Sequence, residues 1–203
     1  MNTQYFIVEK VGFLEVNCYI IPSEIDNCVY IIDPGASSDK IVDHAKSFRM
    51  NHYRILLTHA HIDHISALKE TMDKLDSSFL YLNEFDMDLY RSPANELQPL
   101  MPAIKEHPET LSRFETSDIE VIHTPGHTRG GVCFYIKRIN SIFTGDTLFK
   151  HSIGRTDFPG GSTETLLDSI KNRLLLLSDD VQVYPGHGSS TTIGDERRFN
   201  PFL

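Results

Sequence analysis

Leu56 to His64 reads LLTHAHIDH, three histidines and an aspartate in six positions behind an apolar run. Side chains two apart on extended backbone point the same way, so His59 and His61 can converge on one ion. Asp63 and His64 are out of phase with that pair, at the expected start of a helix, and aim at a neighbouring point. One short motif can therefore seed two metal positions. Three more ligand types occur where an apolar run ends in a Gly-bracketed turn: His127 in HTPGHT, Asp146 in FTGDT and His187 in YPGHG. Seven ligands suffice for two ions if one carboxylate bridges. Imidazole with carboxylate and no thiolate suits zinc, iron or manganese, and a position left open for water marks a catalytic centre rather than a structural one.

The elements that carry these residues alternate between β and α patterns. VNCYIIP (16 to 22) and CVYIIDPG (28 to 35) read as paired strands, the second closed by Asp-Pro-Gly. The spacing of Ile41, Val42, Ala45 and Phe48 predicts a helix from Ser38, capped by Ser37, Ser38 or Asp39. A strand over 54 to 57 delivers the chain into the histidine cluster. Ile65, Leu68, Met72 and Leu75 then return to helical spacing, and FLYL (79 to 82) reads as a strand. Residues 83–117, broken by Pro93, Pro99, Pro102 and Pro108, suggest a set of short helices. IEVIHT, VCFYI and SIFT predict strands over 119 to 124, 132 to 136 and 141 to 144. A helix from about Ser162 to Leu177 precedes a last strand, VQVY (181 to 184). Turns at the ends of adjacent strands gather at one edge of a sheet, which is how distant ligands could meet. No repeat or composition break marks a boundary, so one domain over residues 1–203 is expected.

The chain has 203 residues, is 40% hydrophobic and carries a net charge of −9. That is enough for one sizeable core and leaves no basic field for nucleic acid or anionic membrane. The N-terminus, MNTQYFIVEK, lacks a basic region followed by an apolar run, which predicts a cytoplasmic protein without a membrane anchor. Cys18, Cys28 and Cys133 stand singly in strand-like surroundings and read as buried reduced thiols. His44, His52 and His107 read as solvated, and His123 and His151 match no ligand position.

Through His59-x-His61-x-Asp63-His64 and the ordered His127, Asp146 and His187, the sequence resembles the metallo-β-lactamase superfamily from about Val16 to Gly188. The resemblance implies an α/β fold, a four-layer αβ/βα sandwich of two facing mixed sheets flanked by helices. It puts His59, His61 and His127 on one metal, Asp63, His64 and His187 on a second, and Asp146 between them. Asp33, in IIDPG, matches an aspartate that supports the site in the family and reads equally as a turn residue. Ser66 stands where the family often has Gly.

FTGDTLFKHSIGRTDFPGGS (143 to 162) looks like the hydroxyacylglutathione hydrolases, or glyoxalase II, and GRTDFPGG most like their short bacterial relatives. Persulfide dioxygenases share much of the stretch. The chain ends 16 residues after His187, where full-length glyoxalase II continues into a helical domain that helps grip glutathione. Arg155 could hold a substrate carboxylate bidentately, or it could pair with Asp157 in a surface turn. The implied activity is hydrolysis of a small-molecule thioester by hydroxide bridging two divalent ions, zinc first, with Asp63 and Asp146 catalytic. A mononuclear iron persulfide dioxygenase is the alternative. A true β-lactamase and a tRNA-processing nuclease fit less well.

Overall fold

The computed structural model describes residues 5–203, which divide into two compact units at the junction of Glu115 and Thr116. Each unit carries its own five-stranded mixed sheet with helices, in a stretch where no composition break announces a division.

In the first unit, β1 (Ile7–Val11), β2 (Val16–Ser23) and β3 (Cys28–Ile32) pair antiparallel, and β4 (Tyr53–Leu56) and β5 (Phe79–Tyr81) extend the sheet in parallel. All five residues of β3 are buried, which explains its unbroken apolar run. Helix α1 (Ser38–Ser47) turns Ile41, Val42 and Ala45 inward against Val29, Ile31 and Ile55. Ile41 and Val42 each contribute about 1.5–3 kcal/mol by leaving water. The expected single helix after the histidine motif is two: α2 (Ile62–Ile65) and α3 (Leu68–Leu75). At the break the Ser66 hydroxyl donates to the Ile62 carbonyl at 2.6 Å, a back-bond that commonly bends helices.

Residues 83–117 hold less helix than their prolines suggest: one 3-10 turn (Glu84–Asp86) and the single-turn α4 (Met87–Tyr90). The segment leaves the end of β5 and returns to it, Leu111 exchanging backbone hydrogen bonds with Leu80 and Leu82. His107, expected in solvent, packs edge-on against Tyr90 with its Nε2 buried.

In the second unit, β6 (Ile119–His123), β7 (Val132–Ile136) and β8 (Ser141–Gly145) are antiparallel neighbours. The hairpin β9 (Leu148–Phe149) and β10 (Ser152–Ile153) follows. Helix α5 (Thr163–Ser169), capped by the Ser162 hydroxyl, continues as a π-helical turn over Ile170–Leu174 rather than as α-helix. Its face, Leu166, Ile170 and Leu174, packs on Cys133, Ile142 and Val183. Strand β11 (Gln182–Pro185) pairs parallel with β8 and antiparallel with β12 (Thr191–Thr192), and α6 (Ile193–Phe199) ends the unit.

All three cysteines are buried and unbridged. No helix of the described residues is long and apolar enough to cross a membrane.

Candidate metal centre

The expected ligands divide between the units, four in the first and three in the second, and all but His127 follow the end of a strand paired in parallel. In the first unit β3 and β4 are in register at Ile32 and Leu56, so the chain leaves the sheet at two neighbouring points. Asp33 follows one and Thr58 stands two residues beyond the other. Asp33 adopts a left-handed φ of 54° and accepts three hydrogen bonds, from Thr58 N (2.8 Å), Thr58 Oγ1 (2.6 Å) and His64 Nδ1 (2.9 Å). It also turns the chain, its carbonyl accepting from Gly35 N at 2.9 Å. Both readings of Asp33 are therefore met in one residue.

These partners set the histidine tautomers. A carboxylate only accepts, so His64 carries its proton on Nδ1. The Thr58 proton is committed to Asp33, so at 3.0 Å its oxygen accepts from His59 Nδ1. Both rings thereby present Nε2 in the basic form that binds a metal. The His59 ring centroid is 4.8 Å from that of His61 and 4.1 Å from that of His64. Asp63, buried in the first turn of α2, holds Oδ2 3.7 Å from His64 Nε2.

In the second unit β8 and β11 lie in parallel register at Gly145 and Pro185, and Gly186 N donates to the Gly145 carbonyl at 2.8 Å. The next residues are the ligand types, Asp146 and His187. The turn after β6 carries His127, whose Nδ1 donates to the Arg155 carbonyl at 2.7 Å and whose Nε2 is likewise left basic. Asp146 Oδ2 is 3.7 Å from both His127 Nε2 and His187 Nε2. That is too long for a hydrogen bond and close to the ~3.4 Å between two donors on one tetrahedral ion with ligands about 2.1 Å away.

Two glycines make room for the backbone of Asp63 and Asp146. A Cβ on Gly35 would stand 1.8 Å from the Asp63 carbonyl oxygen, and one on Gly154 would stand 1.8 Å from that of Asp146. Backbone is met in both cases, so neither neighbour can swing away.

The Arg155 side chain is held within its own loop. It pairs bidentately with Asp157 at 2.7 and 2.6 Å and lies 4.0 Å over the Phe158 ring. The guanidinium holds the Asp157 carboxyl down to about 2. A substrate carboxylate at Arg155 would have to displace Asp157.

The donor set fits a divalent ion: histidines with one nitrogen anchored and the other basic, carboxylates beside them, and cysteines buried in the strands. Residues 11–187 match the model of the metallo-β-lactamase superfamily. The chain belongs to that superfamily.

Among curated relatives, the hydroxyacylglutathione hydrolase GloC of Haemophilus influenzae is 38% identical, covering 92% of each chain. The probable metallo-hydrolase YqgX of Bacillus subtilis is 36% identical over 95% of this chain and 94% of its own. Among solved structures, the B3 metallo-β-lactamase BLEG-1 superposes with a TM-score of 0.86 at 34% identity, covering 98% of this chain and 99% of that one. TTHA1623, solved in a di-iron-bound form, gives 0.85 at 34%, covering 97% and 100%. ETHE1 from Myxococcus xanthus gives 0.73 at 25%, covering 97% and 83%. The fold is that of the superfamily, mixed sheets flanked by helices.

Sequence reasoning missed the groups behind the expected ligands. Thr58 lies inside the quoted motif, and a hydroxyl directly before His59 was its available signal. The Arg155 carbonyl had none, because a backbone acceptor is not written in a side chain.

Proposed function

We propose that the chain is a dinuclear metal-dependent thioester hydrolase of the glyoxalase II type, acting on a hydroxyacyl thioester such as S-lactoylglutathione. One observation carries the metal part of this reading: His59, His64 and His127 each have Nδ1 within hydrogen-bond distance of an oxygen, which leaves Nε2 as the ring atom for an ion. The likeness to GloC, even over both lengths, supports the substrate class. In this assignment His59, His61 and His127 would hold one ion, Asp63, His64 and His187 a second, and Asp146 would be shared between them. Divalent ions there supply a Lewis acid for the acyl oxygen and lower the pKa of water toward neutrality.

The chain's own residues do the rest. Asp33 and Thr58 keep the imidazoles from rotating, and Asp63 orients the attacking water and accepts its proton. The thiolate leaving group has a conjugate acid near pKa 8.5 or so, which removes the need for a strong general acid.

The test measures metal content and assays S-D-lactoylglutathione, a glutathione persulfide and a cephalosporin on one preparation. The expected result is thioester hydrolysis with up to two ions per chain. Oxygen uptake on the persulfide with a single iron, or cephalosporin cleavage without thioesterase activity, would overturn the reading.

A further inference from the structure

Between His59 and His61 lies Ala60, fully buried, at a point where β4 has ended and α2 has not begun. A buried peptide group outside regular structure needs a partner, since an unmet N–H or C=O there costs about 1–3 kcal/mol. Both Ala60 groups find side-chain partners in the segment 83–117. Ala60 N donates to Asp86 Oδ2 at 3.0 Å, and Asn95 Nδ2 donates to the Ala60 carbonyl at 2.7 Å. The first bond fixes the peptide joining His59 to Ala60, and the second fixes the peptide joining Ala60 to His61.

The placement of Asp86 argues that this contact is specific. Asp86 occupies the N-cap position of α4, where an aspartate ordinarily accepts from its own helix. It makes no such cap bond; its carboxylate instead reaches a backbone 26 residues earlier in the chain. Asp86 is 1% exposed and Asn95 6%. Asn95 is itself held in a turn by its backbone N–H to the Ser92 carbonyl at 3.1 Å.

We infer that Asp86 and Asn95 are positioning residues for the metal centre: by clamping the two peptides on either side of Ala60 they fix the relative aim of the His59 and His61 rings. The inference rests on the metal reading above. It gives residues 83–117 a task that neither their proline content nor their scant helix suggests.

The test compares the wild-type chain with Asp86→Ala, Asp86→Asn, Asn95→Ala and Asn95→Asp. Zinc affinity is measured by competition with a chelator, and hydrogen exchange at the Ala60 amide is followed in metal-free protein. Asp86→Ala should weaken zinc about tenfold or more and speed Ala60 exchange, with the amides of β3 unchanged. Asp86→Asn, whose amide oxygen can still accept, should restore both. Asn95→Asp sets an acceptor against the Ala60 carbonyl and should weaken zinc at least as much as Asn95→Ala. If Asp86→Ala does not fold, the two Asn95 variants carry the comparison. Wild-type protein that takes up no zinc overturns the metal reading. Wild-type uptake matched within twofold by folded Asp86→Ala and Asn95→Asp, or unchanged Ala60 exchange in Asp86→Ala, overturns the clamp.

Discussion

Asp33 grips Thr58 twice, by its backbone N–H at 2.8 Å and its hydroxyl at 2.6 Å, and so fixes and polarises the oxygen that accepts from His59. Replacing Thr58 by Val keeps the shape and removes the hydroxyl, leaving His59 Nδ1–H without that acceptor. Zinc affinity should fall about tenfold with little change in secondary structure. A chelator-competition titration checks this, and an unchanged affinity would show that the ring is held by other means.

Asp146 stands 3.7 Å from two histidine nitrogens through one oxygen. Asp146→Ala should abolish thioester turnover and lower bound metal, read by elemental analysis of purified protein. Full activity in that variant would remove the bridging role.

Gly35→Ala and Gly154→Ala each drive a methyl into the carbonyl oxygen of an aspartate proposed as a ligand, Asp63 and Asp146. Both should lower the melting temperature, at about 1–3 kcal/mol for overpacking against backbone, and both should reduce metal content. Alanine tolerated at either position in metal content and melting would mean that the backbone there yields.

Burial pushes the Cys133 thiol up to about 12, and burial together with Asp33 and Glu9 raises Cys18 well above its ordinary range. Folded protein should therefore leave Ellman's reagent unreacted at pH 8 and release three thiols on unfolding. The unfolded chain gives up these protons first, so stability should be flat below about pH 8.5 and fall as pH rises above it. The slope is at most about 1.4 kcal/mol per pH unit per thiol. Denaturant melts at pH 8 and pH 10 measure it.

Glu196, fully buried in α6, accepts from Thr191 Oγ1 (2.6 Å), His151 N (2.9 Å) and Asn200 Nδ2 (2.8 Å). Glu196→Ala strands three donors and should cost about 3 kcal/mol or more in a urea melt. Glu196→Gln, which keeps one acceptor oxygen, should cost less, and equal losses would contradict the hydrogen-bond account.

Strands β2, β3, β6, β7 and β8 were legible because β-branched and aromatic runs are bounded on at least one side by Gly, Pro or Asp, and that signal is local. Helix α6 was not, because IGDERRF is short and mostly charged; its start is set by the Thr192 hydroxyl accepting from Asp195 N. The long helix after Ser162 was legible in its apolar face but not in its winding, since leucines at this spacing suit an α or a π turn alike. At the site, the ligand types were written in the motifs. Asp86 and Asn95 reach Ala60 across 26 and 35 residues from an irregular segment, and no periodicity records such a contact.

Arg155 serves the centre through its carbonyl, while its guanidinium is engaged elsewhere. Its main chain and side chain are thus free to change independently: any residue that keeps the turn can orient His127, whatever it presents outward. Under the proposed thioesterase reading, the outward face of this loop can vary while the support behind His127 is kept.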